Sequence, residues 1–442
     1  MMGWRMLAVP LVLLLSASTS FAAGFRLPEV GNKANAMGFA FTAQADNPSA
    51  IYFNPAGLTQ LERNNIALGV TYTNLPGAEF TGSTPLTGAT PTSPGLSRFE
   101  AQKDLNFFLP NMYYTYTNKE GGIAFGVGVF APFGLGQEYQ NQNTSIFRNQ
   151  VTKVEIQTIV INPTIAFDIN EAISVGFGID YLWGTVEFRT TPVLAVSPVL
   201  AQFKTKLEGD GSAWGYNGGI LVKPTKNLKI GANFRSPYKL EIKDADFTTS
   251  DNTVPLPNPL APFPMGTSKA FGTLRLPATA AFGIAYTFER FTIEADLDWT
   301  FWSSFQELKI TNATFPQYNV NRAQNWEDVC AFRFGLEYRV TDPFALRAGF
   351  SYDPTPVPAE TLSPLLPDAD RLYYTLGAGF KFGNWTIDIS GIYIDKKDRT
   401  VANQGSNQVP QAGGVYPQYA TGQNGTWTGD AWLAGLDIAY KF

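Results

Sequence analysis

The chain is predicted to be all-β: a fourteen-stranded antiparallel transmembrane barrel with an N-terminal plug. Three observations carry this. Period-2 apolar segments recur along most of the 442 residues. Beyond the first twenty-odd residues there is no apolar run of about 18 residues, the length a membrane helix requires. And the composition pairs 14% aromatic with only 16% charged residues, where an ordinary soluble chain carries about 25% charged.

The amino-terminal stretch has one charge, Arg5, then an apolar run from Met6 to Leu15, then small residues ending Ser20-Phe21-Ala22. This is the pattern of a secretory signal, with residues 1–22 removed and Ala23 the mature terminus. Residues 23–63 follow, too irregular for a strand, and are assigned as the plug, or hatch. Residues 64–442 form the barrel.

The final segment shows the alternation most plainly. Trp432, Ala434, Leu436, Ile438, Tyr440 and Phe442 share one face, opposed by residues such as Leu433, Asp437 and Lys441. An apolar, aromatic-ended face is what a lipid-facing strand requires. The same reading places strands near 64–74, 105–118, 121–133, 151–168, 171–189, 212–222, 227–243, 271–288, 291–310, 326–340, 344–353, 371–382, 384–396 and 428–442. Short turns such as Glu289-Arg290 alternate with long loops near 75–104, 190–211, 245–270 and 397–427. Short turns belong to the periplasmic side and long ones to the exterior. Several strands exceed the 9–11 or so residues a tilted crossing needs and should stand above the membrane as a rim. A lumen of fourteen strands is wider than an eight-stranded barrel filled by its own side chains, so it needs a filler.

Composition also excludes. There is no histidine, which removes His-based hydrolases and His-ligated zinc sites. No nucleophile motif appears, no enzyme activity is expected, and no cofactor or metal is called for. The net charge of −5 argues against nucleic acid. Cys330 is the single cysteine and reads as a small apolar residue. Glu294, Asp296 and Asp298 share a lumenal face and are read as a wall salt-bridged to Arg333, Arg339, Arg347 and Lys381 rather than as a metal site.

These residues resemble the outer-membrane long-chain fatty acid transporters, a family that includes aromatic-hydrocarbon uptake barrels. The likeness runs from Ala23-Gly24-Phe25-Arg26-Leu27-Pro28 through Ala45-Asp46-Asn47-Pro48-Ser49-Ala50 and Asn54-Pro55-Ala56-Gly57-Leu58. It continues in Val129-Phe130-Ala131-Pro132-Phe133-Gly134-Leu135 and the closing Tyr440-Lys441-Phe442. The resemblance implies a monomer in the bacterial outer membrane, surrounded by its lipid. It implies passive movement of a long-chain fatty acid or similar hydrophobic molecule past a hatch, with lateral release at a kinked third strand. A hydrocarbon channel is the alternative within the class, and a loop-mediated adhesin or phage receptor the alternative outside it.

Candidate residues follow. Asn54, Pro55, Ala56 and Gly57 form the hatch motif: proline fixes its backbone, asparagine bonds nearby main chain and glycine admits turns closed to other residues. A plain tight turn in a static plug would need the same types. Gly126, Gly128, Pro132, Gly134 and Gly136 weaken strand pairing and form the lateral gate, or merely the loop end of a strand. Phe130, Phe133 and Leu135 offer it an apolar lining. Phe25 and Leu27 reach the inner pocket from the mature terminus, or pack the hatch against the wall.

Overall fold

The computed structural model describes residues 24–84, 96–196, 199–250, 265–403 and 422–442; the signal-peptide assignment falls outside them. Fourteen antiparallel strands form one ring. In chain order they are Asn65–Leu75, Leu105–Asn118, a third in two pieces (Ile123–Phe130 and Gly134–Glu138), Lys153–Asp168, Ile173–Thr190, Lys204–Val222, a seventh (Leu228–Arg235 and Tyr238–Ser250), an eighth (Gly266–Leu276 and Thr279–Phe288), Phe291–Thr300, Val329–Thr341, Phe344–Asp353, Arg371–Phe382, Trp385–Asn403 and Gln423–Lys441. The ring closes where the first strand pairs with the last, from Asn65↔Lys441 to Asn74↔Trp432. Closure is obligatory, since an open edge would leave backbone groups unpaired in hydrocarbon.

The faces separate as the alternation predicts. On the last strand Trp432 is 55% exposed while Ala431, Leu433 and Asp437 are buried. Aromatic pairs across neighbouring strands mark the two interfaces, with Trp385 and Tyr440 at 4.7 Å near one end and Tyr393 and Trp432 at 4.3 Å near the other.

All four of the expected loops differ from the reading of their composition; within 397–427 the thirteenth strand runs on to Asn403 and the last begins at Gln423, paired with each other. Within 75–104 lies a hairpin, Glu79–Ser83 against Arg98–Ala101. The sixth strand starts at Lys204 rather than 212, and the seventh runs to Ser250. These stretches are rich in Thr and alternating charge, which suits a solvated strand, and each finds a neighbour's edge to pair with. The 291–310 strand is not continuous: after Thr300 the chain turns inward through a 3₁₀ turn at Trp302–Ser304 and resumes as Glu307–Asn312.

Residues 24–61 occupy the ring's interior, all buried except the half-buried Asp46, Asn47 and Gln60. Their polar groups bond to inward side chains around the circumference. Asp437 accepts from the Asn32 amide at 2.6 Å, Thr375 from Gly38 at 2.9 Å, and Asp296 from Phe41 and Thr42 at 3.0 Å each. Glu294 accepts from Ala43 and Gln44, and Asn217 donates to the Ile51 carbonyl. A short irregular segment cannot satisfy its own backbone, so the lumenal side chains do it.

Candidate functional site: an apolar cavity sealed by the N-terminal segment

Three consecutive residues at the start of the described chain organise the site. The Phe25 ring sits in an aromatic box, with centroids at 4.7 Å from Trp302, 5.7 Å from Phe305, 5.5 Å from Trp326 and 6.4 Å from Phe133. Offset and edge-on contacts of this kind add to the burial of ring area. Arg26 donates to Asp298 at 2.8 Å and Thr300 at 3.0 Å, and Asp298 in turn accepts from Arg333 at 3.0 Å. Leu27 is buried, and its amide donates to the Pro132 carbonyl at 2.8 Å.

That last bond lies in a break of the wall. Pro132 cannot donate to a ladder, and the third strand loses its pairing around it. Between Asn111↔Phe130 and the isolated bridge Gln102↔Tyr139, no ladder pair joins the second and third strands. The N-terminal segment stands in the break: Arg26 bridges Phe133 antiparallel, and Gly134 donates its amide to the Phe25 carbonyl at 2.9 Å.

Against Phe25 lies an apolar cavity, about 940 Å³ of atom-free space including its open mouth. Leu135, Ile156, Phe188, Ile242, Leu274 and Trp326 line it, and loop residues Val357, Leu365 and Leu366 cap it. The charged residues on its boundary, Glu155, Glu187 and Lys309, alternate along their strands with apolar residues of the lining: Ile156, Phe188 and Ile310.

Of the sequence-derived candidates, Phe25 and Leu135 line the cavity and Phe133 touches Phe25. Leu27 lies in the backbone seal and outside the lining. Phe130 packs lower, at 5.2 Å from Tyr52 and 6.3 Å from Tyr113. Pro132 and Gly134 are in the break, and Gly136 lies beyond it in the resumed strand. Gly126 and Gly128 sit where the third strand is paired on both sides. A Cβ on either would meet the Ile51 side chain, at 2.7 and 2.9 Å, so they make room for the N-terminal segment.

The Asn54-Pro55-Ala56-Gly57 motif starts a 3₁₀ turn, Pro55–Gln60. Asn54 caps it by accepting from the Ala56 amide, and its amide donates to the carbonyls of Thr42 at 2.8 Å and Ile220 at 3.0 Å. One side chain thus ties the turn to itself, to the segment and to the sixth strand. Gly57 is required by contact: a Cβ would lie 2.3 Å from the Ala45 carbonyl oxygen.

The carboxylate row divides by role. Asp298 pairs with arginines, whereas Glu294 and Asp296 hold backbone amides of residues 41–44. Arg347 pairs with Glu337 and Asp388, while Arg339 is exposed and donates to the Glu289 carbonyl. Lys33 reaches Asp46 at 2.8 Å and Glu337 at 3.4 Å. Burial disfavours its charge, but Asp46 and Glu337 outweigh that and hold the ammonium above its ordinary pKa. Burial likewise disfavours the Asp46 carboxylate, and Lys33 with Lys229 outweighs it, holding the acid below its ordinary range.

Trp302, Phe305 and Trp326 escaped the sequence reading. The strand expected over 291–310 places Trp302 and Phe305 in the regular wall, and the one expected over 326–340 starts at Trp326. The run of Ser303-Ser304 beside two aromatics was the available sign of an inward turn.

Comparison with known proteins agrees with this architecture. A long-chain fatty acid transport protein of Salmonella typhi is 25% identical over 459 residues, covering 98% of each chain. Outer membrane protein P1 of Haemophilus influenzae is 25% identical over 478 residues, covering 97% of each. Among solved structures, a Pseudomonas aeruginosa FadL homologue superposes with a TM-score of 0.78 at 21% identity, over 95% of this chain and 100% of that one. The Pseudomonas putida toluene transporter TodX does so at 0.65 and 16%, over 95% and 99%. The profile of the outer membrane protein transport protein family (OMPP1/FadL/TodX) matches residues 13–442, and with the closed fourteen-stranded ring the chain belongs to that outer-membrane family.

Proposed function

We propose that the barrel passively transports long-chain fatty acids or similar hydrophobic molecules, with residues 23–63 acting as its hatch. The observation that carries this is the double position of Phe25. Its ring closes one side of the apolar cavity while its carbonyl holds Gly134 in the broken wall. Cargo that displaces the ring pulls on the seal through a single residue. The acyl chain gains about 0.8 kcal/mol for each methylene buried, enough over several methylenes to offset the aromatic contacts it replaces. With the seal withdrawn, the interruption beside Pro132 leads from the lumen to the surrounding lipid, and release there needs no energy input from the barrel.

The fatty-acid reading draws on the named relatives. A buried cation lies close by: the Arg322 guanidinium is 5.7 Å from the ring centroid of the lining residue Phe188 and donates to the Gln150 carbonyl at 3.1 Å. The apolar inner lining favours a second reading, uptake of neutral hydrocarbons, which need no cation. Arg322→Met separates the two: it weakens oleate binding and spares toluene in the first case, and changes neither in the second.

The transport reading is tested by locking the seal. Arg26→Cys with Phe133→Cys places a thiol pair on directly opposed residues. Oleate uptake by cells carrying this variant is expected to fall when oxidised and return on reduction. Equal uptake in both states overturns release at the third strand.

A further inference from the structure

A second interruption of the wall lies across the ring from the first. The eighth and ninth strands pair from Phe288↔Phe291 up to Thr279↔Thr300, then not again until Gly272↔Ile310. Between these limits one backbone bond, from the Phe301 amide to the Ala278 carbonyl, joins the two banks among the described residues. The cause is local. The ninth strand leaves the wall to deliver Trp302 and Phe305 onto Phe25, and Pro277 removes a donor from the opposite bank.

Backbone donors of the inward turn find acceptors nearby. Phe305 donates to the Trp302 carbonyl at 2.8 Å and Ser303 to the Asp328 carboxylate at 2.8 Å. The wall can therefore stay unpaired here without leaving those groups bare.

Both banks also border the cavity: Gly272, Thr273 and Leu274 on one side, Phe305, Leu308 and Ile310 on the other. The interruption begins one residue pair above Trp299, a lipid-facing aromatic paired with Ala280. It therefore opens at the outer edge of the membrane rather than into its centre.

The outer face of this opening is framed by an exposed phenylalanine, Phe271, and two exposed cations, Arg275 and Lys309. Neither cation has a carboxylate partner among the described residues. Arg275 also stands directly opposite Lys239 across the seventh–eighth ladder. Lys239 is paired with Glu241 at 2.5 Å, so of these two facing cations Arg275 is the one without a carboxylate partner among the described residues.

We propose that this interruption is a lateral port, through which the cavity admits amphipathic carboxylates already dissolved in the outer leaflet. Arg275 and Lys309 draw the headgroup to the opening, and Phe271 carries the chain across its sill. Cargo would then enter between strands eight and nine and leave between strands two and three. The port rests on the hydrophobic-cargo reading, and adds the route by which a carboxylate reaches the cavity.

The test follows the association of cis-parinarate, a fluorescent fatty acid, with the full barrel in lipid nanodiscs, read by energy transfer from tryptophan. Arg275→Glu is expected to slow association about fivefold at low salt and to converge with the unaltered barrel at high salt, as steering by a surface charge requires. Dissociation should slow in step, because Arg275 lies outside the cavity lining. Thr273→Trp, which fills the sill, should slow association at every salt concentration. Association rates within twofold of the unaltered barrel for both variants would overturn the port while leaving fatty-acid binding in place. Failure of the unaltered barrel to bind the probe would remove both readings.

Discussion

The carbonyl oxygen of Phe25 accepts a hydrogen bond from the amide of Gly134 at 2.9 Å. The N-terminal segment thereby supplies a strand edge at the point where the third strand has lost its own partner. The lining of the apolar cavity and the closure of the wall are joined in that one residue.

Replacing Phe25 with Ala should uncouple them. The ring's contacts to Trp302, Phe305 and Trp326 disappear, a loss of the order of 3–5 kcal/mol for a buried phenylalanine. The expected outcome is weaker oleate binding together with raised single-channel conductance in planar bilayers. Weaker binding with no leak would show that the backbone seal stands without the ring.

The acids that hold residues 41–44 should matter more to closure than to cargo. Asp296→Ala leaves the amides of Phe41 and Thr42 buried without an acceptor, at about 1–3 kcal/mol each. The segment should loosen, giving bursts of ion conductance and a lower thermal midpoint, with oleate affinity within a few-fold of the unaltered barrel. A quiet, impermeable variant would mean that other anchors suffice.

Asn54→Ala removes three bonds made by one side chain, to Ala56, Thr42 and Ile220. The cost should be about 2–4 kcal/mol of stability, counting about 1 kcal/mol for each bond. Limited proteolysis from the periplasmic side is expected to cut the variant within residues 42–60 faster than the unaltered chain.

The Lys33–Asp46 pair predicts a window in pH. Asp46 has a depressed pKa in the folded barrel, so its contribution is complete above the unfolded carboxylate value near 3.9 or so and is lost as pH falls through the lower folded value. Lys33 has a raised one, so its share is complete below about 10.4 and is lost as pH rises through the higher folded value. Conductance should be flat between these limits and rise on acidification below about pH 4. Because Asp46 is a third exposed, the effect should be modest and weaken in high salt. Lys33→Met should weaken the acid response, leaving the part due to Lys229.

The strand plan was legible because a lipid-facing strand repeats every second residue, a pattern complete within a dozen positions. The turn at Asn54-Pro55-Ala56-Gly57 was legible for a similar reason, since Asn54 and Pro55 act largely within it. Trp302 and Phe305 were not, because a strand that leaves the wall keeps the aromatic content of one that stays. The partition of Glu294, Asp296 and Asp298 was equally hidden, as alternation places all three inward and says nothing of what they meet.

By itself, then, the amino-acid sequence determined a fourteen-stranded outer-membrane barrel, its lipid face and the non-strand character of the described residues 24–63. Those properties are local, set by alternation and by backbone chemistry over a few residues. The tertiary structure decided which lumenal acid receives which amide, that Arg26 rather than a neighbour pairs with Asp298, and where the wall comes apart. These depend on closing the ring, which brings together residues more than 270 positions apart, such as Arg26 and Asp298.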